Sequence, residues 1–177
     1  ISLHDLKLTR PHRVPFVWFA NYAKIFQDTL FWESVVRTAS FTVMSVVAIM
    51  VIATLMAMLL NEEFRGRRVL STILLIPWAI PYVANGLMWK WIYDSGYGAL
   101  NGLLMQLGLI DKYIVMLGDV GKTMPLIANA FVWKEVPLAT ILLLVTLKSI
   151  RPDLYSAAKV DGANAWQRFI HITLPSL

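Results

Sequence analysis

Of the 177 residues, 58% are hydrophobic and 15% are charged, against about 25% charged in an ordinary soluble domain. There is no cysteine, which excludes disulfides, thiolate metal sites and a cysteine nucleophile. The net charge of +5 would allow a nucleic-acid or anionic-membrane partner. The basic residues, however, gather at the ends of apolar runs and not along one face, which argues for the lipid bilayer and against nucleic acid.

Residues 1–37 are mixed and basic, with Lys7, Arg10, Arg13, Lys24 and Arg37, and with Pro11 and Pro15 opposing helix at the start. From Asn21, the spacing of Tyr22, Ile25, Phe26 and Leu30 predicts a short amphipathic helix at a membrane surface. His4, His12 and His171 show no ligand spacing, so no metal site is expected.

Thr38 to Leu60 is a run of 23 residues without a charge. At 1.5 Å per residue it reaches about 34 Å, enough for a hydrocarbon core of about 30 Å. It predicts a transmembrane helix over 38–60. After the basic turn Arg65, Gly66, Arg67 and Arg68, a second span is expected over 69–92. Pro77 and Pro81 lie within it, so it should bend or open locally. Trp89, Trp91 and Tyr93 mark its far end as an interfacial belt.

Residues 93–124 form an aqueous connection in which Gly96, Gly98 and Gly102 loosen the start. Leu100, Leu103, Leu104 and Leu107 then predict a short helix ended by Gly108. The third span is expected over 125–147, closed by Lys148 and Arg151. GDVGKT at 118–123 imitates a phosphate-binding loop, but Met116 stands where its first glycine is required, and Pro125 opposes the helix that should follow.

Lys134 and Glu135 lie near the middle of that third span. A charge at membrane depth costs at least about 2.5–3.5 kcal/mol, so such residues face a bundle interior or a watery path. Two readings stay open: lining of a translocation path, or a structural or gating role in which Pro137 breaks the helix and Lys134 caps a freed carbonyl. Asn85, Trp89 and Asn129 are grouped with them as candidate path residues.

Residues 148–177 are different in kind. Pro152 suits the first turn of a helix from about Asp153 to Val160. Ala157 and Ala158 leave one face nearly bare, and Gly162 permits the positive φ that turns the chain. Asn164 and Gln167 form a capping-box pair for a second helix, anchored by Trp166, Phe169 and Ile170. The expectation is a rigid helix-turn-helix offering a small-residue knob to a partner. Lys and Arg cluster at 61–68 and from 148 onward, which puts both segments on the cytoplasmic side and 93–124 outside. The basic residues 1–37, extracytoplasmic on this count, dissent from the rule.

DLYSAAKVDGANAWQRFIHITLPSL, from Asp153 to Leu177, resembles the signature loop of permease subunits of binding-protein-dependent ABC importers of the maltose, trehalose and glycerol-phosphate type. The likeness extends through NY at 21–22, FW at 31–32, FRGRR at 64–68, LLIPWAIPYVANGLMWKWIY at 74–93 and GALNGLL at 98–104. It implies an all-α membrane protein: three transmembrane helices of a six-helix permease core and a cytoplasmic coupling helix-turn-helix, the chain being an interior piece of a longer protein. It further implies an importer of a sugar, or of glycerol phosphate or another non-sugar solute, in the inner membrane of a bacterium or archaeon. The implied partners are a second permease, a cytoplasmic ATPase dimer and an extracytoplasmic solute-binding protein. The permease itself would be no enzyme and bind no cofactor, ATP being held by the ATPase. The matching coupling residues are Asp153, Leu154, Tyr155, Ser156, Ala157, Ala158, Asp161 and Gly162. Two positions depart from the pattern: Ser156 replaces the usual acidic residue, and Trp18 a usual glycine. A polytopic membrane enzyme would need clustered titratable residues at one interface, and an ion channel a repeated filter segment. Neither pattern is seen.

Overall fold

The computed structural model describes residues 2–4 and 14–177. Lys7, Arg10, Pro11, His12 and Arg13 lie outside the described residues. The chain is helical, and the described residues contain no strand beyond an isolated bridge between His4 and Phe16. It divides into two compact units, residues 1–43 and 44–177.

In the first unit, α1 (Ala20–Gln27) ends at Asp28, whose Oδ1 accepts the Leu30 N–H at 2.9 Å and starts α2 (Thr29–Asn61). Leu30 therefore belongs to α2 and not to the amphipathic helix expected from Asn21. Aspartate is a favoured N-cap, and here it divides one periodic pattern into two helices. Trp32 Nε1 donates to the Phe26 carbonyl at 2.9 Å across the turn. Trp18 sits at φ 50, a left-handed conformation that costs an L side chain roughly 1–2 kcal/mol and glycine almost nothing. The glycine usual in the resemblance therefore has a conformational reason, and this chain carries a strained tryptophan in its place.

The second unit holds the end of α2, then α3 (Arg67–Ala79), α4 (Tyr82–Ile92), α5 (Ala99–Gln106), α6 (Val120–Ser149), α7 (Pro152–Val160) and α8 (Ala165–Arg168). A π turn over Phe169–Thr173 and α9 (Leu174–Ser176) complete it. α2 and α6 are each long and apolar enough to cross a membrane. Ala53 and Ala57 of α2, both fully buried, cluster with Leu143 and Leu147 of α6. Small residues one turn apart let helices approach closely, which drives association where lipid supplies no hydrophobic contrast.

The second expected span is two helices. α3 and α4 meet at 97° across Ile80 and Pro81. Ile80 and Pro81 are extended, with ψ 129 and 145, so the span opens locally, as the two prolines predict, and the backbone turns a corner there. Pro77 is accommodated inside α3. α6, by contrast, is continuous through Pro125 and Pro137, and begins at Val120. The break expected at Pro137 is absent: its ring is fully buried, and that packing outweighs one missing backbone bond. Asp119 caps α6 by accepting the Gly121 N–H at 2.8 Å, so the run at 118–123 is a capped helix start.

The 93–119 connection is ordered by Asn101, which is fully buried. Its Nδ2 donates to the carbonyls of Asp94 (3.1 Å) and Ile114 (3.0 Å), and its Oδ1 accepts the Ile114 N–H at 3.2 Å. The glycines do not simply loosen this segment. A Cβ at Gly98 would collide with the Asp94 carbonyl and lie 2.7 Å from that of Ile92.

Candidate functional site

Two clusters of candidate residues form within the second unit, one between α4 and α6 and one on α7 to α9.

The five candidate path residues come together. Asn85 and Trp89 are one turn apart on α4, and Asn129, Lys134 and Glu135 lie along the facing part of α6. Asn85 is buried and donates through Nδ2 to the Ala130 carbonyl at 3.2 Å. Trp89 packs edge-on against Trp133, with ring centroids 5.7 Å apart, and tilted against Tyr93 at 5.2 Å. Tyr93 was expected at the interfacial belt but is 4% exposed. Its hydroxyl accepts from Asn129 Nδ2 at 2.8 Å and donates to the Leu126 carbonyl at 3.4 Å. A phenol with two partners on α6 turns inward, whereas Trp91, with 63% exposure, stays outside.

Lys134 is 4% exposed. Its ammonium donates to the Trp78 carbonyl at 2.9 Å and lies 4.5 Å from the centre of the Tyr82 ring. Lysine thus caps a freed carbonyl, but the carbonyl is one at the end of α3 and not in its own helix. A helix C-terminus leaves its last carbonyls unpaired and carries partial negative charge, so a cation is favoured there. Glu135 Oε1 accepts the Tyr82 hydroxyl at 2.7 Å. Adjacent helical residues point about 100° apart, and here both reach Tyr82, Lys134 at its ring and Glu135 at its hydroxyl.

In the second cluster, α7 starts with Pro152 in its first turn and ends in a left-handed turn at Gly162, φ 80. The Gly162 N–H donates to the Lys159 carbonyl (3.1 Å) and the Ala163 N–H to the Ala158 carbonyl (2.8 Å). These two bonds are the Schellman closure of a helix C-terminus. Two residues on, the capping box is complete: Asn164 Oδ1 accepts the Gln167 N–H at 2.9 Å, and Gln167 Oε1 accepts the Asn164 N–H at 2.8 Å. The turn is closed from both sides. An open concavity of about 370 Å³ lies along it, lined by Ala158, Asp161, Gly162 and, across it, Gln167 and His171.

Ala157, Asp161 and Gly162 are exposed, as are Leu154 (50%) and Val160 (88%). Exposed aliphatic side chains beside an alanine pair form a surface suited to a partner. Ser156 turns its hydroxyl back onto its own helix, donating to the Pro152 carbonyl at 3.2 Å. Asp153 pairs with Arg151 at 3.1 Å, both side chains exposed. Tyr155 points the other way: its hydroxyl is 2.9 Å from Thr173 Oγ1, and Thr173 is buried. Trp166, expected as an anchor, is 67% exposed and stacks on Phe169. The π turn beginning at Phe169 alters the 3.6-residue register, so Thr173 is the residue that faces inward. Val160 and Thr173 were absent from the expected set. Val160 alone had a signal, as an aliphatic residue just before an Asp-Gly turn.

The sequence pattern described as "binding-protein-dependent transport system inner membrane component" matches residues 49–177. The chain is 40% identical over 177 residues to the trehalose/maltose transport system permease protein MalF of Thermococcus litoralis, covering all of this chain and 59% of that protein. It is 33% identical over 176 residues to the sulfoquinovosyl glycerol transport system permease protein SmoG of Agrobacterium fabrum, covering 99% of this chain and 56% of that protein. Among solved structures, a bacterial ABC transporter that imports the acidic polysaccharide alginate superposes with a TM-score of 0.79 at 27% identity, over 92% of this chain and 57% of that one. The chain therefore spans less than two thirds of the length of these relatives. With its sequence pattern matched over 49–177 and two apolar helices able to cross a bilayer, the chain is an integral membrane protein and belongs to the family of binding-protein-dependent transport system inner membrane components.

Proposed function

We propose that this chain is the core of a permease subunit that imports a sugar or sugar conjugate across the inner membrane, driven by ATP hydrolysis on a separate cytoplasmic ATPase dimer. A second permease completes the path, and an extracytoplasmic solute-binding protein delivers the solute. The permease binds no cofactor of its own. The observation that carries this reading is the turn at Gly162. It is closed by a Schellman motif on one side and a capping box on the other, and it presents Ala157, Asp161 and the exposed Val160 outward. Such a turn can transmit force as a rigid body, because hydrogen bonds close the helix end on one side and the helix start on the other.

Counting α3 and α4 as one crossing, the 61–66 turn and the 150–177 segment lie on the same, cytoplasmic side. Asn85, Trp89 and Asn129 then lie beside the path within the membrane, with Lys134 and Glu135 at the adjoining α3–α4 corner. The sugar assignment is supported by the names of the relatives, which refer to trehalose, maltose and sulfoquinovosyl glycerol. A second solved neighbour was captured with a periplasmic protein holding an alginate pentasaccharide.

The test is reconstitution of the full-length permease with its partner permease, ATPase and binding protein in liposomes. Uptake of labelled trehalose, maltose and glycerol 3-phosphate is then followed. Uptake of a saccharide that needs both ATP and the binding protein supports the reading. Uptake that proceeds without either, or that is confined to glycerol phosphate, overturns it.

A further inference from the structure

We infer that Lys134 is a positioning residue that holds the α3–α4 corner at its angle, with Glu135 and Tyr82 as the second arm of the same clasp. In an unbroken helix the Trp78 carbonyl would accept the N–H of Tyr82. Ile80 and Pro81 are extended, so that bond is lost and the two helices meet at 97°. The freed oxygen is taken by the Lys134 ammonium at 2.9 Å. The same ammonium lies 4.5 Å from the centre of the Tyr82 ring, on the first residue of α4. It therefore touches the last turn of one helix and the first turn of the next.

Glu135 adds the second tie, accepting the Tyr82 hydroxyl at 2.7 Å. All these contacts converge on the two-residue corner, and α6 runs past it unbroken. Pro81 disfavours a continuous helix at this point, but it leaves the angle of the corner free. The angle is held by a cation on a neighbouring helix, and a cation buried to 4% exposure in a membrane protein stays only where it is paired. The inference concerns the corner and not the cargo, so it stands apart from the sugar assignment.

The test uses the full-length protein in nanodiscs, without ATP, solute or partner proteins. Spin labels sit on cysteines at Ile73 of α3 and Val83 of α4, both exposed, and the distance between them is measured by pulsed electron resonance. The native protein gives one narrow distance. Lys134→Met keeps the aliphatic stem and removes the ammonium, so the narrow peak is lost and longer distances appear. Lys134→Arg restores it. Tyr82→Phe leaves every charge in place, so it tests the second arm even if Lys134→Met fails to insert, and it broadens the distribution as well. An unchanged distribution in Lys134→Met, or in Tyr82→Phe, overturns the clasp.

In the assembled importer, Lys134→Met lowers the maximal uptake rate at least several-fold and leaves the half-saturating solute concentration unchanged. A raised half-saturation at unchanged maximal rate would instead place the ammonium on the solute and overturn the positioning role.

Discussion

The Tyr155 hydroxyl lies 2.9 Å from Thr173 Oγ1, joining α7 to the inner side of the helical segment that follows its turn. Both arms of the Gly162 turn are thereby tied at a second point, beyond the caps at its tip. A single hydrogen bond contributes about 0.5–1.5 kcal/mol, and leaving a buried partner unpaired costs more. Tyr155→Phe should therefore reduce solute transported per ATP hydrolysed, while ATP hydrolysis itself falls less. Thr173→Val in the same background should recover part of the loss, because the buried oxygen goes with it. A double-mutant cycle on thermal stability in detergent should give a coupling of about 1 kcal/mol. Additive effects of the two substitutions would show that the contact carries nothing.

The strained Trp18 makes a separate prediction. Its ring is 70% exposed and meets Phe16 edge-on at 5.1 Å. Trp18→Ala and Trp18→Gly both lose that contact, but only glycine relieves the positive φ. The glycine variant should be the more stable of the two by about 1 kcal/mol, read as a higher midpoint in thermal unfolding. Equal midpoints would mean that the backbone at this position is unstrained.

Gly98 is required by a close approach. Gly98→Ala drives a methyl group into the Asp94 carbonyl and close to that of Ile92. The turn after α4 must then open, and the Asn101 contact to the Asp94 carbonyl goes with it. The variant should be destabilised by about 1–3 kcal/mol, in the range of overpacked sites, with faster amide exchange over residues 94–102. Unchanged exchange would show that the turn yields without cost.

Much of this was legible in the sequence for local reasons. The uncharged run from Thr38, the caps at Asn164 and Gln167, and the turn at Gly162 are each specified by residues within a few positions of one another. What was not legible depends on distant partners. Pro77 and Pro81 announce a disturbance, but the 97° corner is held by Lys134 and Glu135, more than 50 residues on. Tyr93 has the composition of an interfacial residue and turns inward only because Asn129 and Leu126 of α6 wait for its hydroxyl. Thr173 turns inward because a π turn interrupts the 3.6-residue period after Phe169. At Ser156 the sequence poses the question of a missing carboxylate. The structure shows a hydroxyl that donates its proton to its own helix.

The central claim is that the Gly162 turn passes motion from an ATPase to the membrane helices. Nothing in this chain lies within 4 Å of a Cβ built at Gly162, so a side chain there meets only what docks. Its conformational cost, about 1–2 kcal/mol at positive φ, is too small to unfold a membrane protein. The most direct measurement is ATP-driven uptake by the full-length Gly162→Asp permease, assembled in liposomes with its partner permease, ATPase and binding protein. Uptake should fall at least tenfold, with membrane insertion and capture of solute by the binding protein unchanged. Uptake at the native rate would contradict the coupling role of this turn.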